Sequence, residues 1–136
     1  MTPSDRERVV DPPVRSLPAT RQAPSEARRE VSRACAGWPA SQRRIAELLT
    51  TEVVTNAVVH GKGELELRIA ADRDVVRVEV GDDSPDLPTP VPLVSATQRG
   101  GRGLYILTAL ATDWGVEPRS ASVGKTVWFE LRRPLA

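Results

Sequence analysis

Apolar and polar positions alternate along the chain with two distinct periods. From Pro39–Ser41 to about His60, Ile45, Leu49, Val53 and Ala57 recur every fourth residue. That spacing predicts one long amphipathic helix, closed by Gly61. A shorter helix is expected from Ser25, as cap, to about Ala36, with Ala27, Val31 and Ala34 on one side and Gly37-Trp38-Pro39 as its stop. The period then changes to two. Leu65, Leu67 and Ile69 alternate with Glu64, Glu66 and Arg68; Val76, Val78 and Val80 alternate with Arg77 and Glu79. Ala71-Asp72-Arg73-Asp74 between them reads as a hairpin turn, so the pair is antiparallel with one wet face. A third helix is predicted over about Gly101–Thr112, with Leu104, Ile106, Leu107 and Leu110, followed by strands near Trp114–Glu117 and Lys125–Leu131. Helices beside antiparallel strands predict an α+β two-layer sandwich with the helices on one face of the sheet.

The ends and connections differ in composition. Residues 1–24 hold five of the twelve prolines, which opposes both helix and central strand, so a disordered or loosely docked tail is expected there, with the ordered domain over 25–136. Ser84 to about Gly100 carries four prolines and reads as a long irregular loop, a length usually reserved for function. At 136 residues the chain suffices for one domain. Nineteen basic against 18 acidic residues leave a net charge of +1, without the basic excess a nucleic-acid binder shows. No apolar run is long enough for a membrane span, and the N-terminus lacks the apolar core of a signal peptide. The single cysteine, Cys35, can form neither an internal disulfide nor a thiolate cluster and is expected as a buried apolar residue in a cytoplasmic protein.

Four features could carry chemistry. Glu52, Asn56 and His60 form a second column on the long helix, at the edge of the buried stripe and continuing from Leu48. A carboxylate and an amide one turn apart, roughly 5–6 Å at Cβ, suit a hydrated metal or a water, and the carboxylate could deprotonate a nucleophile. An isolated Glu-x-x-x-Asn is more often simply a polar helix edge. The inward parity of Val76, Val78 and Val80 continues to Asp82. An acid at the end of an apolar strand face needs a partner, either the amino group of a ligand or, as a turn aspartate, its own backbone. Arg99-Gly100-Gly101-Arg102-Gly103-Leu104 opens the third helix, where glycines and free N–H groups can approach a phosphate, without Rossmann or Walker spacing. Gly124-Lys125-Thr126 enters the last strand and reads by itself as a hairpin turn. His60 reads as a helix-end residue, and the three tryptophans as packing.

The order of these features resembles the GHKL (Bergerat) ATP-binding fold. Thr51-Glu52-Val53-Val54-Thr55-Asn56-Ala57-Val58-Val59-His60-Gly61 resembles the N-box of the bacterial anti-sigma-factor serine/threonine kinases. Asp82-Asp83-Ser84-Pro85 and Gly101-Arg102-Gly103-Leu104 resemble their two glycine boxes, and Gly124-Lys125-Thr126-Val127-Trp128-Phe129 their closing strand, over roughly residues 25–133. Ser84 stands where many such proteins have glycine, and residues 1–24 do not read as a dimerisation helix with a phosphorylatable histidine, so a two-component histidine kinase is not expected.

The resemblance implies a mixed, mostly antiparallel sheet, a site for ATP or ADP with Mg²⁺, and an ATP lid over Ser84–Gly100. It implies Glu52 as general base, Asn56 as metal ligand, and Asp82 as acceptor of the adenine amino group, with Ser84 beside it. It further implies Gly101, Arg102, Gly103 and Leu104 at the phosphates, Arg99 as a phosphate-contacting arginine, and Thr126 near the adenine. The implied function is transfer of the γ-phosphate to a serine or threonine of an anti-anti-sigma (STAS) protein, with control of a sigma factor by partner switching. The resemblance also suggests a homodimer. The alternative is a catalytically weak nucleotide-binding module that sequesters a sigma factor or other regulator; direct contact with nucleic acid or membrane is not expected.

Overall fold

The computed structural model describes residues 12–60, 63–84, 102–119 and 124–133, with the side chains of 102–105 excepted. Among the described residues, five strands and three helices follow in the order β1 (Arg15–Leu17), α1 (Ala23–Ala34), α2 (Ala40–His60), β2 (Leu65–Ala71), β3 (Val75–Asp82), α3 (Arg102–Leu110), β4 (Asp113–Pro118) and β5 (Lys125–Arg132). The sheet order is β1-β2-β3-β5-β4. All four pairings are antiparallel, which corrects the expected mixed sheet. β3 and β4 do run parallel to each other, but β5 is inserted between them, so the crossover through α3 creates no parallel pair.

The inward faces of β3 and β5 form the centre of the core. Val76, Val78 and Val80 lie opposite Leu131, Phe129 and Val127, and all six are buried. Ala46, Leu49, Val53, Val54 and Ala57 of α2 and Leu107 of α3 close over them. Each fully buried large side chain contributes about 1.5–3 kcal/mol. The buried stripe of α2 also includes Thr50, whose hydroxyl donates to the Ala46 carbonyl at 2.8 Å and so needs no other partner. The β2–β3 turn forms where expected: the Asp72 carboxylate accepts the N–H groups of Asp74 and Val75 at 2.7 and 3.0 Å.

The chain is ordered earlier than its prolines suggest. Arg15–Leu17 pairs with the edge of β2, Leu17 is buried, and Arg15 reaches Glu26 and Glu30 of α1. A three-residue edge strand fits between Pro13 and Pro18 because neither proline has to donate to the ladder. α1 likewise starts two residues before Ser25. Gln22 is its N-cap, Pro24 lies in the first turn where no N–H is needed, and the Ser25 hydroxyl donates to the Gln22 carbonyl at 3.0 Å instead of capping the helix. The buried face of α1 is Ala23, Ala27 and Val31, continued by Cys35; Ala34 is exposed.

Candidate functional site

β3 ends in a buried acid. Asp82 keeps the inward parity of the three valines before it and is 1% exposed. Its cross-strand neighbour is Lys125, the first residue of β5, which shares the inward parity of Val127, Phe129 and Leu131 and is 5% exposed. The Lys125 ammonium donates to Asp82 Oδ1 at 3.2 Å and forms an ion pair with Oδ2 at 3.1 Å. Asp82 Oδ1 also accepts the Ser84 N–H at 2.7 Å, and the Ser84 carbonyl lies 3.5 Å from Lys125 Nζ. Of the two partners weighed for Asp82 from the sequence, its own backbone is present, and a further partner joins it. Asp82 caps its own turn through Ser84, and a lysine supplies the opposite charge.

Reading Gly124-Lys125 as a plain hairpin turn missed this lysine. The signal was present in the parity of β5, since a residue two before Val127 must face the core with it. Gly124 allows the close approach. A Cβ there would stand 2.0 Å from the Asp82 carbonyl oxygen.

α2 brings its polar column to the same end of the sheet. Only four residues separate His60 from Leu65, and the first residues of β2 pair with the last of β3, Glu66 opposite Gly81. Gly63, at a φ of 75°, packs so close to Asp83 that a Cβ would overlap its carboxylate. The C-terminal end of α2 thus lies toward the Asp82 end of the sheet. Glu52 and Asn56 are half-buried there, while Leu48 above them and His60 below are exposed. They sit at the rim of the buried stripe, accessible to solvent on one side.

Arg102, Gly103 and Leu104 form the first turn of α3, with Leu107 buried further along the helix. Arg99 and Gly101, like the segment assigned to a lid after Ser84, lie outside the described residues.

Thr126 does not share a sheet face with Asp82. One residue beyond Lys125, it faces the opposite side of the sheet from Asp82. There it lines a cavity of about 30 Å³ with Glu66, Arg68, Glu79, Gly81 and Arg119, room for about one water. Arg119 is the other residue that sequence reasoning passed over. It ion-pairs with Glu66, contacts the Asp83 carboxylate at 3.3 Å and donates to the Asp82 main-chain carbonyl at 3.3 Å. Trp128, on the same outer face, packs under the Arg77 guanidinium at 4.2 Å, consistent with a packing role.

The donor set suits a hydrated divalent cation bound chiefly through its ligand. No group of three or more His, Cys, Asp or Glu side chains that could cage a metal occurs among the described residues. An amide oxygen at Asn56, with Glu52 one turn away, matches Mg²⁺, which keeps several waters and takes its remaining oxygens from phosphate. Among the described residues no helix is long and apolar enough to cross a membrane.

A family model described as the histidine kinase-like ATPase domain matches residues 17–131, from the last residue of β1 to near the end of β5. No curated protein matches the chain closely enough to count as a relative.

Proposed function

Given that the chain belongs to the family of histidine kinase-like ATPase domains, we propose that it is a regulatory serine/threonine protein kinase of the anti-sigma-factor type. It would transfer the γ-phosphate of ATP to a hydroxyl of a STAS-type partner and hold or release a sigma factor accordingly. What supports this reading is the buried Asp82 carboxylate at the end of β3 together with the half-buried rim residues Glu52 and Asn56 on α2, the helix whose end leads directly into the strand paired with β3. Asp82 accepts the amino group of the base. Asn56 holds the Mg²⁺ that neutralises the phosphates when nucleotide is bound. Glu52 accepts the proton of the attacking hydroxyl, and its half-buried position beside solvent leaves that hydroxyl a route of approach. The first turn of α3, with Arg102 and Gly103, is where backbone N–H groups would face phosphate.

The test is phosphate transfer from radiolabelled Mg-ATP to a STAS-domain protein by the full chain and by Glu52→Gln. The substitution keeps size and polarity but removes the base, and a loss of about 10²–10⁴-fold is expected. Transfer by the variant at the wild-type rate would overturn the assignment.

One observation favours a second reading. Asp82 already has an internal cation in Lys125, as suits a module in which nucleotide affinity is low and partner binding does the regulating. Equal affinity for a sigma factor with and without Mg-ATP, together with no transfer, would establish that reading instead.

A further inference from the structure

We infer that Lys125 is a specificity residue of the nucleotide site, reading the base beside Asp82; this rests on the nucleotide-binding function proposed above. A lysine is costly to bury, and this one is 5% exposed at the end of an otherwise apolar strand face. Its ammonium has three donors. One donates to Asp82 Oδ1 at 3.2 Å, and Oδ2 stands at 3.1 Å as the ion-pair partner. Among the described residues, the remaining acceptor within reach is the Ser84 carbonyl at 3.5 Å, the outer limit of a hydrogen bond. The third N–H is thus poorly used. Asp82 has capacity left as well: among the described residues, Oδ1 accepts the Ser84 N–H and the ammonium, whereas Oδ2 has only its ion pair with the ammonium. An ionised carboxylate oxygen has two lone-pair directions.

The pair therefore presents an acceptor next to a cationic donor at one spot. A 6-aminopurine carries the complementary pattern on one edge, an amino donor adjacent to the ring N1 acceptor. Asp82 Oδ2 takes the amino N–H and Lys125 Nζ donates to N1. Both side chains are fixed before any base arrives. They are cross-strand neighbours in a paired register, and the turn after Asp82 is held by its own Ser84 N–H. Such preorganisation favours discrimination, because a base lacking either group leaves a buried polar atom unpaired.

The experiment is calorimetric titration of the full chain with three nucleotides in the presence of Mg²⁺: ATP, its 1-deaza analogue, which lacks the ring acceptor, and purine riboside triphosphate, which lacks the amino group. ATP is expected to bind at least about 10-fold more tightly than the 1-deaza analogue, the loss typical of a charge-assisted hydrogen bond. In Lys125→Met that ratio should fall to near one, while the preference for the amino group, which belongs to Asp82, persists. Lys125→Gln keeps a neutral donor and should restore part of the ratio. Because each ratio is taken within one variant, a general loss of folded protein does not mimic the result. If the wild type ignores N1, or if Lys125→Met still discriminates against the 1-deaza analogue, Lys125 does not read the base even though nucleotide binds. If the wild type binds none of the three, the nucleotide site itself is refuted and the role of Lys125 with it.

Discussion

Replacing Gly124 by alanine tests the close packing on which the site depends. A Cβ at this position would meet the Asp82 carbonyl oxygen at 2.0 Å and the Asp82 carbonyl carbon and Asp83 Cα at 2.9 Å. All three are main-chain atoms, so no flexible side chain can yield. Restoring a 3.0 Å separation requires the start of β5 to retreat by about 1 Å, from the difference between 3.0 and 2.0 Å. A shift of that size would stretch the 2.9 Å bond from the Arg119 N–H to the Gly124 carbonyl and the 3.1 Å contact of Lys125 with Asp82 beyond hydrogen-bond range. Overpacking of this kind costs about 1–3 kcal/mol, and each lost hydrogen bond adds about 1 kcal/mol. A destabilisation of about 3 kcal/mol is expected, or a fall in Tm on the order of 10 °C for a chain of this length.

Gly37→Ala is the matched control. Its φ, like that of Gly124, lies outside the left-handed region, and a Cβ there meets nothing within 4 Å. It should be neutral or stabilising by up to about 1 kcal/mol, through the lower entropy of the unfolded chain. Urea and thermal unfolding followed by far-ultraviolet circular dichroism measure both. If the two variants melted within about 2 °C of one another, the close approach of β5 to the Asp82 main chain would be refuted.

Other substitutions probe the charge pair, the thiol and the outer face. Asp82→Ala and Lys125→Met should each destabilise the fold by about 3–5 kcal/mol by leaving a buried charge alone, whereas the double variant should lose much less than the sum; additive losses in urea unfolding would show that the two do not interact. Burial, assisted by the negative charge of Glu47 and opposed by Arg43, pushes the Cys35 thiol from 9.0 up to about 11. The folded state then holds this proton where the unfolded chain has released it. The stability due to the thiol is therefore complete below about pH 9 and declines as the pH rises toward 11, a slope that Cys35→Ala should remove and that parallel urea midpoints for the two proteins would disprove. Gly115→Ala would place a Cβ 2.8 Å from the Trp128 ring nitrogen, so a lower Tm is expected, and an unchanged melt would mean that the indole moves aside freely.

The strand and helix periods carried most of the architecture because each element has one face in the core. In α2, Leu49, Val53 and Ala57 are buried as their spacing predicts, and β2 and β3 pair around the expected turn. Two things were not legible for physical reasons. β1 is three residues long, too short to show a period, and its place depends on the free edge of β2 and on the acids of α1, both distant in sequence. The partner of Asp82 lies 43 residues away and is fixed only by the β3–β5 register. The same register puts Thr126 on the other sheet face from Asp82: a one-residue step along β5 changes sheet face. Glu52 and Asn56 were legible as rim residues because a helix column needs no long-range information.

The last residue of β3 is held from both sides of the sheet. Its carboxylate is tied to Lys125 on the helix side, and its carbonyl oxygen is tied to Arg119 on the far side. A peptide anchored on both faces cannot roll about the strand axis, so Asp82 has no second orientation in which to wait. The acid serves as a fixed landmark: whatever docks there has to come to it, and any rearrangement that admits or releases a ligand has to be made by elements other than the strand end.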